Sequence, residues 1–118
     1  MKVIALLIFL FINGTSTEAQ SDYYVRQAKS YQSDAEYYIR QAQGYDRDSE
    51  YYTREAAGHL RDAEYYIRQK QYGRAIDLLR KARSSTERAD DYKRKATTAR
   101  DYAETYMRRA EDALQHAK

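Results

Sequence analysis

The sequence predicts an all-α protein: an antiparallel helical hairpin with a coiled-coil seam, built from a 14-residue repeat and preceded by a signal peptide. Three observations predict it. Tyrosine pairs recur every 14 residues, alanines recur every seven, and the chain contains no proline. Fourteen residues are two heptads, so each repeat returns to the same face of a slightly supercoiled helix.

The N-terminus has the pattern of a secretory signal. Lys2 is followed by ten apolar residues, 3–12, and then by a short polar stretch ending Thr17-Glu18-Ala19. Such a run is too short for a membrane span and has a small residue at the cleavage position. The sequence therefore predicts a signal peptide over 1–19 and a secreted, extracellular chain over 20–118.

The composition beyond residue 19 argues against a deep globular core. Cysteine and proline are absent, and tyrosine, with 14 copies, is the dominant bulky residue. The large aliphatic side chains are few: Val25, Ile39, Leu60, Ile67, Ile76, Leu78, Leu79, Met107 and Leu114. A small secreted domain without disulfides must find its stability elsewhere, and helices that share long, thin seams fit this composition.

The repeat itself extends along the whole predicted domain. Tyrosine pairs begin at Tyr23, Tyr37, Tyr51 and Tyr65, and degenerate copies follow from Ala75, Ala89 and Ala103. Every copy carries an arginine at the equivalent place. Internal repetition of this kind decides the fold, because each copy presents the same stripe to a neighbouring helix.

Reading the repeat at heptad spacing, with Ala28 at position a, gives a seam of small residues at a and mainly tyrosine at d. We predict that this seam mediates pairing of the chain with itself or with another helical protein. Its residues are Tyr24, Ala28, Tyr31, Ala35, Tyr38, Ala42, Tyr45, Tyr52, Ala56, Tyr66, Ala75, Leu78, Ala82, Ala89, Tyr92, Ala96 and Tyr106.

One irregular spacing indicates where the chain reverses. Arg68 and Arg80 are 12 residues apart instead of 14, which would rotate the seam by about 120° in a continuous helix. We predict a first arm over about 21–69, a turn over about 70–74 near Gly73, and a second arm over about 75–117. Gly44 followed by Asp46 or Asp48 leaves open three shorter helices. Locally, Tyr72, Ala75, Leu79 and Ala82 resemble the turn and second helix of a tetratricopeptide repeat, which implies a helix–turn–helix here.

Charges support both the helices and their pairing. Six acidic residues stand four positions before an arginine, the favourable orientation on a helix: Asp22–Arg26, Glu36–Arg40, Glu50–Arg54, Glu64–Arg68, Asp90–Arg94 and Glu104–Arg108. Residues 20–69 carry 7 Lys/Arg and 9 Asp/Glu, and residues 70–118 carry 13 and 8. The resulting net charges of −2 and +5 favour folding one half onto the other.

Catalysis, cofactor binding and metal binding find no support in the sequence. His59 and His116 fall in different arms, and no HExxH motif or phosphate-binding loop is present. Nucleic-acid binding is disfavoured because most repeat arginines have an acidic residue four positions away. We therefore expect no catalytic, cofactor or metal site, and no nucleic-acid partner.

Two further features bear on function. Tyr23, Tyr37, Tyr51 and Tyr65, at position c, form a ladder of predicted outer contacts or modification sites, each preceded by an acidic residue. Small residues on a heptad seam without cysteine are similar to coiled-coil silks. We predict a secreted structural or interaction protein. The alternative is a secreted carrier or effector that binds lipid or a host protein; lipid is not favoured, because an alanine–tyrosine face inserts poorly into acyl chains.

Overall fold

The computed structural model consists of two helices joined by a three-residue turn. Helix α1 spans Lys2–Arg68 and helix α2 spans Tyr72–Ala117, 67 and 46 residues long. The structure describes residues 2–118, with side chains from Thr17 onward, and contains no strand within that range. The predicted signal peptide therefore lies outside the residues whose side chains are described, apart from 17–19.

Helix α1 continues without a break through both of its repeat glycines. A Cβ atom added at Gly44 or Gly58 would meet only the end of an arginine side chain, at 4.0 Å. Because the heptad pattern passes through both positions unchanged, the seam holds the helix where the local propensity of glycine is weak. The described chain thus has two long helices, and the alternative of three shorter ones is not adopted.

The turn is a Schellman motif at the end of α1. Lys70 has a positive φ of 59°, and the amide of Gln71 donates to the carbonyl of Tyr66 at 2.9 Å. The amide of Lys70 donates to the carbonyl of Ile67 at 3.0 Å. These two bonds satisfy carbonyl groups that the ending helix leaves free.

The position of this turn differs from the predicted one. The chain reverses at Gln69–Gln71, so Gly73 belongs to α2 and has no positive φ. Glycine is the usual residue in the left-handed conformation that ends a helix. Lysine takes that position here. The 12-residue spacing between Arg68 and Arg80 leaves the seam in register only if the chain reverses before Tyr72.

The chain divides into two compact units. The turn unit, Tyr38–Asp101, is by itself a helical hairpin; the terminal unit combines Met1–Tyr37 with Tyr102–Lys118. In the turn unit the ring of Tyr45 lies 6.2 Å from that of Tyr92, and Arg74 lies over Tyr66. In the terminal unit Tyr31 lies 6.1 Å from Tyr106 and Tyr24 lies 5.2 Å from His116. Each unit therefore pairs its helical segments antiparallel.

The buried core of both units is made of small side chains. No large side chain is fully buried among the described residues. The buried residues are Ala28, Ala35, Ala42, Ser49, Ala56, Ala63, Ala75, Ala82, Ser85, Ala89, Ala96, Ala99, Ala103 and Ala113. In α1 they occur at every seventh residue, so one face of the helix is buried along its length.

Candidate interaction surfaces

The predicted seam residues all lie on the side of each helix that packs against the other helix of its unit. The alanines of the predicted seam are buried, and its tyrosines and Leu78 are half-buried. Helices approach closely where only a methyl group separates them, and the tyrosine rings then pack along the edges of the contact. Inside each unit the seam is thus occupied by the chain itself.

Two serines take alanine positions and bond across the seam. In the turn unit the hydroxyl of Ser49 donates to the carbonyl oxygen of Ala89 at 2.9 Å. In the terminal unit the hydroxyl of Ser21 donates to the carbonyl oxygen of Ala117 at 3.0 Å. A side chain this short reaches a backbone carbonyl of another helix only when the two backbones are close. These bonds therefore show that the two helical backbones of each unit lie close together at these positions.

Three tyrosine rings form a continuous cluster in the turn unit. Tyr52 stacks on Tyr92 with the rings 5.7 Å apart and 5° from parallel, and the ring of Tyr45 lies 6.2 Å from that of Tyr92. Tyr51, outside the seam, meets Tyr52 edge-on at 5.1 Å. Aromatic pairs at such distances contribute about 0.5–1.5 kcal/mol beyond the area they bury. Tyrosine thus does the packing that leucine does in an ordinary heptad seam.

A row of cations along α2 covers one edge of this tyrosine seam. Arg88 lies 5.5 Å from the ring centre of Tyr52, and Lys95 lies 5.0 Å from that of Tyr92. Arg74 covers Tyr66 at 5.5 Å in the same way. In the terminal unit Arg109 lies 5.2 Å from the ring centre of Tyr106. We call Arg74, Lys81, Arg88, Lys95 and Arg109, which all occupy position g, the cation row.

Sequence reasoning missed the cation row, although a signal for it exists. From Arg74 to Arg109 every seventh residue is Lys or Arg, except Tyr102. The net charge of residues 70–118 alone does not show that these cations form a stripe along α2 beside the tyrosine rings of the seam. Cations placed over desolvated rings gain about 0.5–2 kcal/mol each, so the basic excess has a structural use.

The opposite edge of the seam carries position e of both helices. In the turn unit Arg100 binds Asp46, with Nη1 2.7 Å from Oδ2, and both residues are at e. The pKa of Arg100 is raised, mainly by its hydrogen bond to Asp46 and secondly by the negative charge of Asp46. The contact places the e positions of the two helices on one side of the pair, where a groove of about 430 Å³ is lined by Asp46, Ser49, Glu50, Thr53, Arg54 and Lys93.

The terminal unit has a more apolar groove at the same edge. Its volume is about 540 Å³, and its lining residues are Val25, Ala28, Lys29, Gln32, Met107, Ala110, Glu111 and Leu114. Met107 and Leu114 are 48 % and 50 % exposed. Lys29 and Glu111, one on each helix, make no ion pair with a described residue. We call this feature the terminal groove.

The large aliphatic side chains lie outside the core throughout. Ile39, Leu60, Ile67, Ile76, Leu79, Met107 and Leu114 are exposed, and Val25 and Leu78 are half-buried. A monomeric protein in water normally buries such side chains before alanine. In this structure the pattern is reversed, with alanine buried and the large aliphatic side chains facing solvent.

The outer tyrosines occupy the positions that the repeat predicts. Tyr23, Tyr37 and Tyr65 are each 50 % exposed and Tyr51 is 56 % exposed. The side-chain amide of Gln27 donates to the hydroxyl of Tyr23 at 2.9 Å, and Tyr65 meets Tyr66 edge-on at 5.2 Å. The rings of Tyr23, Tyr51 and Tyr65 thus meet inner tyrosines edge-on, and about half of each residue faces solvent.

The polar groups elsewhere are paired along single helices. Glu64 binds Arg68 at 3.1 Å and Glu104 binds Arg108 at 2.6 Å, as two of the predicted pairs require, whereas Arg94 binds Asp91 instead of Asp90. His59 lies 3.7 Å from Glu55. Among the residues whose side chains are described, no group of three His, Asp or Glu is arranged to hold a metal ion. In that same part of the chain, no helix is both long and apolar enough to cross a membrane.

The chain has no recognisable similarity to known proteins. No protein-family model matches the chain, and neither the curated proteins nor the solved structures contain a significant match.

Proposed function

We propose that this chain is a secreted, non-enzymatic structural or interaction protein that pairs with a second copy of itself or with another helical protein. The observation that carries the proposal is the inversion of the usual burial pattern, with alanine inside and the large aliphatic side chains outside. A core of alanine removes little apolar area from water, so each unit gains little stability from folding alone. Covering the exposed aliphatic side chains supplies what the core lacks.

The terminal groove is the surface that we assign to this pairing. The sequence alone suggested the alanine–tyrosine seam, but that seam is filled within each unit. A partner reaches it only if the chain opens and exchanges a helix. The groove formed by Val25, Met107 and Leu114 is accessible without such a rearrangement. An interface of this kind needs an apolar centre and a polar rim, and Lys29 and Glu111 supply the rim.

The rim charges make the terminal groove complementary to itself. Tyr31 contacts Tyr106 and Tyr24 contacts His116, so Lys29 and Glu111 lie at about the same height on opposite helices. Two copies related by a twofold axis parallel to the helices would bring α1 of one onto α2 of the other. Lys29 of each copy would then face Glu111 of the second copy, and this isologous pairing favours a homodimer.

A charge exchange tests the proposal. Lys29→Glu puts two acidic side chains across the interface, so the dimer should dissociate about tenfold more readily, since exposed ion pairs contribute about 0.2–1 kcal/mol each and two are lost and replaced by repulsion. The double variant Lys29→Glu/Glu111→Lys restores opposite charges and should recover the dimer in sedimentation equilibrium. If neither variant changes dimerisation, the interface lies elsewhere. A wild-type chain that is monomeric would contradict the proposal.

A further inference from the structure

Five large apolar side chains are exposed together next to the turn. Leu60 and Ile67 of α1 are 50 % and 47 % exposed; Tyr72, Ile76 and Leu79 of α2 are 57 %, 48 % and 42 % exposed. We call them the tip cluster. Most of the large aliphatic side chains of the turn unit are thus concentrated in about two turns of each helix.

The members of the tip cluster share one face of the hairpin. Leu60 and Ile67 follow Asp46 at multiples of seven residues, and Leu79 and Tyr72 precede Arg100 at multiples of seven, so all occupy position e. The bond between Asp46 and Arg100 shows that the e positions of both helices lie on the same side of the seam. Ile76 lies four residues after Tyr72 and continues the same stripe.

The part of the hairpin that carries this apolar face has a net positive charge. Residues 57–83 contain seven Lys or Arg and three Asp or Glu, a net charge of +4. Two of the three acids are used, because Glu64 binds Arg68 and Asp77 binds Arg80. On the side of the tip cluster, Lys70 in the turn and Arg83 make no ion pair with any described residue. Arg83, four residues after Leu79, extends the apolar stripe with a cation.

The charge decides what this face can bind. A second tip cluster carries the same positive charge, so two copies repel one another here, unlike at the terminal groove. A negatively charged surface is attracted from a distance and needs no matching side-chain geometry. Apolar residues on one face with Lys and Arg beside them are the pattern of helices that lie in the interface of an anionic membrane.

We propose that the tip cluster binds the surface of a membrane rich in anionic lipid. Leu60, Ile67, Ile76 and Leu79 enter the boundary between headgroups and acyl chains, and the ring of Tyr72 lies at headgroup level, where its hydroxyl stays hydrated. Lys70 and Arg83 contact lipid phosphates and carboxylates. The alanine–tyrosine composition that argued against lipid belongs to the seam, which faces the other helix. This inference goes beyond the proposed pairing, because it uses other residues and the other unit.

Cosedimentation of the full chain with lipid vesicles tests it. All proteins come from the same secreting host, so that they share one N-terminus, which mass spectrometry verifies. We expect binding to vesicles of phosphatidylcholine with phosphatidylserine, weaker binding to phosphatidylcholine alone, and loss of binding as salt rises. The variant Leu60→Gln/Ile67→Gln/Ile76→Gln/Leu79→Gln should lose binding by more than about a hundredfold, because the inserted apolar area is removed while helix propensity is kept.

A matched pair of single variants isolates the tip. Ile67→Gln and Ile39→Gln make the same change at the same heptad position, and both isoleucines are exposed, but only Ile67 belongs to the tip cluster. Ile67→Gln should weaken binding to the anionic vesicles about fivefold and Ile39→Gln should leave it unchanged. Lys70→Gln/Arg83→Gln should weaken the preference for phosphatidylserine.

Three results would overturn the inference. One is a wild-type chain that stays in the supernatant with both kinds of vesicle. Another is an equal loss of binding in the two isoleucine variants. The tip variants could also change the sedimentation of the chain without lipid, in which case the tip cluster is a protein interface. Circular dichroism of each variant verifies that the helices are intact, so a loss of binding is not a loss of fold.

Discussion

The hydroxyl of Ser49 donates a 2.9 Å hydrogen bond to the carbonyl oxygen of Ala89, a residue 40 positions later on the opposite helix. Both residues are buried at position a. A serine hydroxyl extends little beyond a methyl group, so the bond requires the two backbones to lie nearly as close as side chains permit. The stability of the turn unit therefore depends on small volume at this position more than on polarity.

Substitutions at Ser49 separate these two effects. Ser49→Ala loses one hydrogen bond but gains helix propensity, and we expect the free energy of unfolding to change by less than about 1 kcal/mol. Ser49→Leu loses the hydrogen bond and also introduces a larger side chain, so it should destabilise the fold by about 1–3 kcal/mol. Urea denaturation followed by circular dichroism measures both. Equal effects of the two variants would show that the hydrogen bond, not the volume, is the important term.

The buried alanines give a second test of close packing. Ala42 is 2 % exposed, whereas Ala57 is exposed on the same helix. Ala42→Leu should force the helices apart and cost about 1–3 kcal/mol. Ala57→Leu should change the free energy of unfolding by no more than about 0.5 kcal/mol. If Ala42→Leu stabilises the protein, the seam has room for a larger side chain, and close packing of the helices is contradicted.

The turn predicts opposite roles for two neighbouring residues. Lys70 has the left-handed conformation that glycine adopts at no steric cost, so Lys70→Gly should stabilise the fold by about 0.5–1 kcal/mol. Gly73 is helical, and nothing lies within 4 Å of an added Cβ, so Gly73→Ala should stabilise it by about 1 kcal/mol. Thermal melts measure both changes. A destabilising Gly73→Ala would put the reversal at Gly73 instead.

The cation row should contribute to stability through its rings. Arg88 lies 5.5 Å from the ring centre of Tyr52, so Arg88→Gln should cost about 0.5–1 kcal/mol. Arg83→Gln is the matched control, since Arg83 is on the same helix, is also exposed and contacts no ring. It should change the free energy of unfolding by less than about 0.5 kcal/mol. Chemical denaturation compares the two, and equal costs would mean that Arg88 acts through general charge alone.

The heptad periodicity of the sequence predicts the helices and their buried faces, but not the turn or the edges of the seam. The heptad spacing predicted the helices, the small residues of the seam and the continuity of α1 through Gly44 and Gly58, because a repeated stripe constrains every turn of a helix. It did not predict that Lys70 would end α1, since a left-handed lysine has no signature in composition. Nor did it assign the edges of the seam, because positions e and g acquire opposite roles only when a second helix lies beside the first. The tip cluster and the cation row follow from that pairing.

The central claim is that the exposed aliphatic side chains of the terminal groove are covered by association. Sedimentation equilibrium, together with thermal melts over a wide dilution series, tests it most directly. We predict a dimer or larger assembly at micromolar concentration, with a melting temperature that rises with protein concentration, because association favours the folded state by mass action. A strictly monomeric chain whose melting temperature does not depend on concentration would contradict the claim and show that the alanine seam is sufficient by itself.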